Sequence, residues 1–385
     1  MDMLNAYTYE ADSVEEAVAD ILRQLNQHGT LKKNSAGFLT CSYDFVESGV
    51  VSSLCKALPF DVAGCTTFCN GTNRESGGML LCLSVLTADD CAFATAITPP
   101  LGSHLDAVVE SAWEQALEGL GETPVFALSF LPLIHGLGGE LILSALDRAS
   151  GETPIFGTTA CDDDTATYAN SFVIHNGECF RDRMALLLTS GNVTPRFVVA
   201  STADNTKSRL AGCITDSEGS VLKTVDDETA ARFLESIGLK KGAGAEGLSC
   251  IPFLVDYKDG TQPVARAIYM LTEEGHAVCG GAMPKGSSIG VTGMSPAQIL
   301  ATAENSMRAV VQHPDRGGLI LFPCLGRNMV MAGEPEAEIE LVRKLAGPEY
   351  PWHFAYSGGE VCPVYKESGE TVNRFHNFTF IACAF

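Results

Sequence analysis

The chain has 385 residues, of which 46% are hydrophobic and 19% are charged, and its net charge is −22 at pH 7. This composition excludes an intrinsically disordered protein, and the length exceeds the roughly 250–300 residues at which single cores stop growing, so we expect two domains. The negative charge argues against nucleic acid and anionic membranes as partners, because each phosphate contact needs a basic side chain. Small molecules or proteins are therefore the expected partners.

Nothing in the sequence predicts export or membrane insertion. Residues 1–5 lack the basic segment and apolar core of a secretory signal, and no apolar run approaches the roughly 20 residues that cross a bilayer. The fourteen cysteines are scattered, and several, such as Cys82 and Cys383, lie within apolar runs, as reduced core residues do. We therefore expect a cytoplasmic protein.

The N-terminal part of the chain predicts alternating helices and strands. Ser13 and Glu16 fit a capping box, and the apolar residues that follow recur at i, i+3, i+4 and i+7, which indicates an amphipathic helix. A strand at 38–41, a second helix to about residue 58 and an apolar strand at 79–86 complete the pattern.

This order of elements recurs twice. The second copy contains, in order, a helix capped by Ser103, a strand at 125–130, a helix near 140–149, and strands at 171–174 and 184–188 around a turn at residues 176 and 177. The third copy begins at Ser295, in a capping box with Pro296 at the first helical position. Three similar copies indicate a helix, strand, helix, strand unit used three times. Either the turns of these units build pockets, or the likeness reflects only how common such units are.

A different region, at about residues 193–293, separates the second copy from the third. It predicts a helix near 228–239, a loop rich in glycine and alanine at 242–245, and alternating segments such as 264–269. Alternation of this kind favours antiparallel strands.

We predict a domain boundary at the start of this region, which gives domains of residues 1–191 and 192–385. The predicted fold class is α/β, with α+β possible in the second domain. Repeated helix-strand-helix-strand units would form mixed sheets, with an antiparallel β-rich insert.

The C-terminal segment, from Gly317 onwards, carries polar side chains at the ends of apolar runs. A strand is predicted at 319–322, and a helix begins near residues 334–336. If the strands of this segment are neighbours in one sheet, their polar ends converge at one edge. The side chains concerned are Cys324, Arg327, Glu360, His376 and Asn377.

Several motifs resemble those of the FIST sensory domains. Residues 38–190 resemble the N-terminal FIST domain through two stretches, 64–67 and 154–163, and residues from about 205 to 375 resemble the C-terminal FIST domain. The C-terminal motifs are Arg266 on a strand, residues 283–287, residues 322–327, and Gly358-Gly359-Glu360. Two departures concern loop shape only: Asp226-Asp227-Glu228 replaces a common glycine-proline turn, and Ser357 replaces a usual glycine.

The resemblance implies a small-molecule sensor of intracellular signal transduction, with an amino acid or a related metabolite as ligand. Bacterial FIST modules occur fused to histidine kinases, chemotaxis-type receptors or cyclic-dinucleotide enzymes, or as separate proteins. Some relatives bind haem and respond to nitric oxide. Because no output domain is recognisable in this sequence, we expect the signal to pass to a protein partner, such as a histidine kinase in trans.

Arg327 and Glu360 are the main candidates for ligand binding. A guanidinium group can hold a ligand carboxylate through two charge-assisted hydrogen bonds, and a glutamate can receive a ligand ammonium, so together they suit an amino acid. Alternatively, Arg327 and Glu360 pair with each other, because polar groups near buried strands need partners.

Cys324 has two interpretations. A nearby arginine could lower its pKa and create a nucleophile, with His376 as base and Glu360 as orienting group of a cysteine-dependent enzyme. Otherwise Cys324 is a buried structural thiol, since no cysteine-hydrolase signature surrounds it. His376 and Asn377 begin the last strand segment and either face the pocket or are structural.

The remaining candidate ligand-binding residues are Thr67, Thr159, Asp162 and Arg266. The first three follow short strands, so their hydroxyl and carboxylate groups either line a pocket or cap the next turn. Arg266 is a candidate because it belongs to a motif of the resembling C-terminal FIST domain.

The sequence gives no metal site of ordinary spacing. Cys65 and Cys69 are four positions apart and have no second pair, and the histidines are dispersed. We therefore predict no cofactor, and family analogy alone offers haem as the alternative. Its candidate ligands are the Cys362 thiolate and the imidazoles of His104, His135 and His175.

Overall fold

The computed structural model describes residues 1–134, 136–164, 167–201, 210–239, 248, 251–331, 334 and 336–385. Three parts of the sequence interpretation lie outside these residues. They are the loop at 242–245, the His135 imidazole as a haem ligand, and Pro335 at the start of a predicted helix.

Unit 1, the first repeat, comprises residues 2–88. Its elements are β1 (Asp2–Thr8), α1 (Val14–Gln27), β2 (Asn34–Cys41), α2 (Asp44–Glu47), α3 (Val50–Ala57), β3 (Val62–Thr66), β4 (Phe68–Thr72), β5 (Ser76–Gly77) and β6 (Leu81–Ala88). Ser13 caps α1 by accepting a hydrogen bond from the Glu16 N–H at 3.3 Å. In a capping box the Glu16 side chain would accept the N–H of Ser13. Here the Ser13 N–H donates to the Glu10 side chain instead, at 2.7 Å.

Unit 2, the second repeat, comprises residues 91–191. Its elements are β7 (Cys91–Ile97), α4 (Leu105–Leu120), β8 (Phe126–Leu131), α5 (Gly139–Ser150), β9 (Ile155–Thr159), β10 (Val173–His175), β11 (Glu178–Phe180) and β12 (Ala185–Gly191). His104, not Ser103, precedes α4, and its side chain makes no capping bond. Asn176 and Gly177 form the predicted turn with φ of 50° and 84°, the conformation that two-residue hairpins favour. The strand after this turn is β11, whereas β12 belongs to another sheet.

The insert comprises residues 210–291 and is antiparallel throughout its described strand pairs, as predicted. Its elements are β14 (Leu210–Glu218), β15 (Val221–Val225), β16 (Glu228–Thr229), α6 (Ala230–Glu235), β17 (Phe253–Asp256), β18 (Val264–Arg266), β19 (Ile268–Leu271), β20 (Ala277–Cys279) and β21 (Ser288–Val291). The single strand predicted at 264–269 is divided at Ala267, because β18 pairs with β17 while β19 pairs with β20.

Unit 3, the third repeat, is interrupted by the insert. Its elements are β13 (Arg196–Ala200), α7 (Pro296–Val310), β22 (Leu319–Leu321), α8 (Leu325–Val330), α9 (Ala337–Ala346), β23 (Trp352–Tyr356), β24 (Glu360–Tyr365), β25 (Thr371–His376) and β26 (Phe380–Ala384). The capping box predicted at Ser295 is complete, since the Gln298 side chain accepts the Ser295 N–H and Ser295 accepts the Gln298 N–H.

Each unit supplies the first four strands of one six-stranded mixed sheet, and the three sheets share one strand order. Sheet 1 runs β1-β6-β2-β3-β10-β11, sheet 2 runs β7-β12-β8-β9-β24-β25, and sheet 3 runs β13-β26-β22-β23-β4-β5. In every sheet the third and fourth strands are parallel and all other neighbours are antiparallel. The predicted threefold use of one helix, strand, helix, strand unit is therefore confirmed.

The last two strands of each sheet come from a different unit. The hairpin β4-β5 of unit 1 completes sheet 3, β10-β11 of unit 2 completes sheet 1, and β24-β25 of unit 3 completes sheet 2. This cyclic exchange joins strands from both sides of residue 191 in two sheets. The domain boundary at residue 191 stays a prediction.

Each sheet packs helices on one face and the other sheets on its opposite face. Helices α1 and α3 cover sheet 1, α4 and α5 cover sheet 2, and α7 and α9 cover sheet 3. The inner faces meet in an apolar cluster that includes Phe38, Phe126, Phe156, Phe322 and Ile381. No helix in the described ranges is long and apolar enough to cross a membrane.

Substitution of Gly157 tests how closely β8 and β9 approach each other. A Cβ atom at this position would lie 2.1 Å from the backbone oxygen of Ser129, so the strands would have to separate. We expect Gly157→Ala to lower the free energy of unfolding by about 1–3 kcal/mol or more in urea denaturation. Gly78→Ala, where a Cβ atom meets nothing within 4 Å, is the matched control and should change it by less than about 0.5 kcal/mol. Equal effects of the two substitutions would contradict this packing.

Candidate functional site

The carboxyl ends of the central strands β3, β9 and β23 meet through hydrogen bonds. The Cys161 N–H donates to the Thr66 carbonyl at 3.1 Å, and the Gly358 N–H donates to the Thr159 carbonyl at 3.0 Å. The polar turns of all three units therefore form one junction, which the separate sequence motifs did not reveal.

Ser357 lies at this junction, where a glycine is usual in the resembling family. Its hydroxyl accepts a hydrogen bond from Thr158 at 2.8 Å and donates to the Gly359 carbonyl at 2.7 Å. Ser357 is fully buried, so these bonds satisfy a hydroxyl that would otherwise be costly in this position. The loop shape is thus held by side-chain contacts that a glycine could not make.

Glu360 follows this loop and has no exposed surface. Its Oε2 atom accepts bonds from the Thr379 hydroxyl at 2.6 Å and the Thr379 N–H at 3.3 Å. Its Oε1 atom has no hydrogen-bond partner among the described residues. Burial raises the pKa of Glu360 to about 8, although Thr379 and Cys324 partly oppose the shift. Glu360 is therefore mainly protonated at neutral pH and retains an unused polar oxygen.

Cys324 lies beside Glu360, at the residue that precedes α8. Burial raises the pKa of its thiol well above the ordinary range, and the negative charge of Glu360 adds to this increase. Cys324 is thus a protonated thiol at neutral pH, and the lowered pKa that the nucleophile hypothesis requires is not found. Cys324 has 7% of its surface exposed, whereas Glu360 has none.

Two tyrosines that the sequence interpretation did not select complete this region. Burial raises the pKa of both Tyr168 and Tyr269, and the charge of nearby Cys324 raises both further. Tyr269 also feels the charge of Glu360. We call the surroundings of Glu360 that Cys324, Tyr168 and Tyr269 form the Glu360 crevice.

Tyr269 is brought to the crevice by an irregularity of the insert. The register of β19 with β20 shifts between Ile268 and Met270, so Tyr269 sits in a bulge, a device that redirects side chains. Gly280 allows this approach, because a Cβ atom there would lie 2.9 Å from the Tyr269 hydroxyl. Tyr269 leaves 52% of its surface exposed, while its hydroxyl lies deep enough for burial to raise its pKa.

Asp162 and Thr159 lie on the same side of the junction as Tyr168. Asp162 acts on the pKa of Tyr168, and its Oδ2 atom accepts the Asn170 N–H at 2.5 Å. Burial raises the pKa of Asp162, and the charges of Asp163 and Asp164 raise it further. Asp162 Oδ1 and Thr159 Oγ1 have no hydrogen-bond partners in the described part of the chain. Both remain candidate binding groups.

Arg327 is bound to Glu338 on α9. Its Nε and Nη2 atoms lie 3.0 and 2.6 Å from Glu338 Oε1, and both side chains are fully buried. Nη2 also donates to the Thr302 hydroxyl and the Ile299 carbonyl, each at 2.9 Å. The alternative in which Arg327 pairs with Glu360 is therefore wrong. The ligand role of Arg327 stays a prediction, and its donors are already in use.

Arg266 and Asn377 hold the insert against the rest of the protein. Arg266 Nη2 lies 2.7 Å from Glu140 of α5, and Nη1 donates to the Phe375 carbonyl at 2.6 Å. Asn377 Oδ1 accepts the Ala267 N–H at 3.3 Å, at the point where β18 and β19 diverge. These contacts join the insert to α5 and to the end of β25.

His376 and Thr67 make contacts within the fold. His376 Nε2 lies 3.2 Å from the Cys362 carbonyl, and burial lowers the His376 pKa to about 3. Such a histidine is neutral at physiological pH and a poor general base, so the predicted base role gains no support. The Thr67 hydroxyl donates to the Asn70 side-chain oxygen, and its ligand role stays a prediction.

Two protein-family models together match most of the chain. Residues 35–228 match the FIST N domain, and residues 220–363 match the FIST C domain. The chain belongs to the FIST family. The resemblance inferred from the motifs is thereby confirmed, and FIST domains are sensory domains that bind small ligands in signalling.

Solved structures similar to this FIST protein include two cyanuric acid hydrolases. One is 10% identical, with 100% of this chain and 98% of that chain covered and a TM-score of 0.35. The other, from A. caulinodans, is 11% identical, with 99% and 98% covered and a TM-score of 0.36. Similarity at this level carries no information about function. A search of curated proteins found no match.

Two of the described haem-ligand candidates of this FIST protein make contacts within the fold. Cys362 is fully buried in the central apolar cluster, and burial raises its pKa well above the ordinary range. His175 Nε2 lies 3.1 Å from the Thr95 hydroxyl. Haem binding itself stays untested.

The pH dependence of stability tests the ionisation of Glu360. Its pKa is about 8 in the folded protein against an ordinary 4.5, so Glu360 stabilises the fold at low pH, and this contribution is lost as pH rises to about 8. Relative to Glu360→Gln, the free energy of unfolding of the wild type should fall by on the order of 3 kcal/mol between pH 5 and 8. Urea denaturation at both pH values measures this. A constant difference between the two proteins would contradict the assigned pKa.

A double-mutant cycle tests the Arg327–Glu338 pair. Arg327→Met leaves the Glu338 carboxylate buried and uncompensated, so we expect it to lower the free energy of unfolding by about 3–5 kcal/mol. The double variant Arg327→Met/Glu338→Met should recover most of this loss, because neither charge remains. Additive losses would show that the two side chains do not interact.

Proposed function

We propose that this FIST protein is a cytoplasmic sensor whose ligand is an amino acid or a related amine-bearing metabolite, bound in the Glu360 crevice. The observation that carries the proposal is the Glu360 carboxyl group, which is fully buried and has an Oε1 atom without a hydrogen-bond partner in the described structure. An unused polar oxygen of this kind is costly, and a ligand that supplies a hydrogen bond removes the cost. A ligand ammonium group supplies both a donor and a compensating charge.

The crevice is also suited to transmitting a signal. One wall, Tyr269, belongs to the insert, whereas Cys324 and Glu360 belong to unit 3. A ligand that contacts both walls favours the arrangement in which they are close, and so changes the surface that the insert presents. We propose that a signalling protein in trans, such as a histidine kinase, recognises that surface. The described cysteines are all free thiols, in keeping with a reducing compartment.

A thermal-shift screen tests this function. The panel contains amino acids, amines, carboxylates and haem, each added to the purified protein. A ligand at 100 times its dissociation constant stabilises the native state by about 2.7 kcal/mol. We expect a selective shift with an amine-bearing metabolite that is lost in Glu360→Gln and kept in Glu152→Gln, a change at an exposed glutamate.

Two outcomes would oppose the proposal. A shift that survives in Glu360→Gln would place the ligand elsewhere. A shift with haem alone, accompanied by a Soret band, would replace the metabolite sensor with a haem-based sensor.

A further inference from the structure

An open cavity of about 660 Å³ lies between units 1 and 2, beside the amino ends of β2 and β3. Small-molecule sites occupy roughly 300–1,000 Å³, so this volume suits a ligand. The five residues of β3, about 16 Å long, separate Asp61 at this cavity from Thr66 at the junction of the three units. The cavity is therefore distinct from the Glu360 crevice.

The edge of β2 extends past β3 along this cavity. Val62, the first residue of β3, pairs with Gly37, whereas β2 begins at Asn34. Gly37 faces β3 with its main chain, since its N–H donates to the Asp61 carbonyl at 2.8 Å. Ser35 lies two positions earlier and directs its main-chain groups the same way, because these groups alternate along a strand. Ser35 lines the cavity, which therefore borders a strand edge that β3 does not reach.

Asp61 provides a carboxylate at one end of the cavity. Its two oxygens accept hydrogen bonds from the Asn176 side chain at 3.0 Å and from the Thr95 hydroxyl at 3.3 Å. Thr95 also lies 3.1 Å from His175 Nε2. Burial lowers the pKa of His175, although the charges of Asp61 and Glu178 oppose the shift, so the imidazole is neutral at pH 7. The Asp61 carboxylate is thus held by neutral groups, and its charge can pair with a ligand ammonium.

The lysines that line the cavity precede β2. Lys32 is held by Asp2, whose carboxylate lies 2.6 Å from its ammonium nitrogen. Lys33 is exposed, and its main-chain N–H donates to Asp89 at 3.1 Å. The Asn34 side chain donates to a carbonyl of β7 at 2.7 Å, which anchors this end of β2 to unit 2. Lys33 therefore offers an ammonium group on an anchored main chain.

The acidic and basic ends of the cavity are separated along β2. Asp61 stands beside Ala36, one position before the first pair of β2 and β3, and Ala36 is three residues from Lys33. A strand advances about 3.3 Å per residue, so the two charged residues are about 10 Å apart along β2. The half-buried rings of Phe60 and Phe93 line the same cavity and supply apolar surface. The cavity thus combines separated opposite charges with a strand edge and two aromatic rings.

We propose that this cavity binds an extended peptide of about three residues, whose ammonium pairs with Asp61 and whose carboxylate pairs with Lys33. An extended chain spans at most about 3.3–3.6 Å per residue, so three residues match the separation of these two charges. The peptide runs antiparallel to β2, and its main chain bonds the edge at Ser35 as an added strand, a common mode of peptide recognition. Its side chains contact Phe60 and Phe93. This site is additional to the function proposed above and does not rest on it.

Isothermal titration calorimetry with trialanine tests the proposal on the full chain at pH 7. The comparison ligands are N-acetyl-trialanine, which lacks the ammonium, trialanine amide, which lacks the carboxylate, and alanine, which is too short to reach both charges. We expect trialanine to bind at least about tenfold more tightly than each of the three, because only trialanine makes both charge-assisted contacts.

Variants assign the two ends of the peptide. Asp61→Asn should weaken trialanine binding at least about tenfold but leave the affinity for N-acetyl-trialanine unchanged, since that ligand has no ammonium to lose. Lys33→Gln should weaken trialanine binding and leave the affinity for trialanine amide unchanged. Asp12→Asn and Lys285→Gln, at exposed residues outside the cavity, are the matched controls and should bind as the wild type does.

The outcomes separate this site from the Glu360 crevice. Glu360→Gln should leave trialanine binding unchanged, whereas loss of binding in that variant would place the peptide at Glu360 and overturn the inference. Equal affinities for trialanine and the blocked peptides, or no binding of trialanine, would also overturn it. Either result leaves the sensor proposal standing, because its amino-acid ligand is tested at Glu360 by the thermal-shift screen.

Discussion

The cyclic exchange of hairpins is the constraint on which the rest of this structure depends. Each sheet ends in a hairpin from another unit, so no unit can complete its own sheet, and the three inner faces share one apolar cluster. Because each hairpin follows directly from a central strand, the same exchange brings the ends of β3, β9 and β23 together. The candidate site is thus a consequence of the topology: polar turns that are distant in sequence become neighbours at the place where the hairpins cross.

Buried polar groups at such a junction need hydrogen-bond or charge partners. Two buried glutamates of unit 3 differ in the partners that the fold gives them. Glu338 receives Arg327 and the Tyr356 hydroxyl, so its charge is compensated within the fold. Glu360 accepts hydrogen bonds from Thr379 at one oxygen and has no ion-pair partner among the described residues. Burial is the largest influence on it and raises its pKa to about 8, although Thr379, Cys324 and Arg327 oppose the shift. A structural ion pair needs no ligand, whereas a half-satisfied acid is suited to one. The difference explains why we assign recognition to Glu360 rather than Arg327.

Local sequence patterns predicted the repeated unit, since capping residues such as Ser295 and apolar periodicity act over a few residues. They did not predict β1 or the exchanged hairpins, whose partners lie in other units. The partner of Arg327 was missed because Glu338 sits on another helix and becomes its neighbour only when α8 and α9 pack. Tyr269 was missed because the orientation of its side chain depends on the bulge in β19, which local sequence patterns do not predict. Sequence alone did select Glu360, Cys324, Thr159 and Asp162, all of which follow or precede strand ends.

The central claim is that Glu360 is a buried neutral acid at which a ligand binds. Carbon-13 NMR of the glutamate carboxyl groups tests it directly, with the Glu360 signal assigned by its absence in Glu360→Gln. The account predicts one carboxyl signal that titrates near pH 8 in the free protein and that changes when a ligand of the proposed class binds. A Glu360 signal that titrates near the ordinary value of 4.5, or that ignores a bound ligand, would contradict the account.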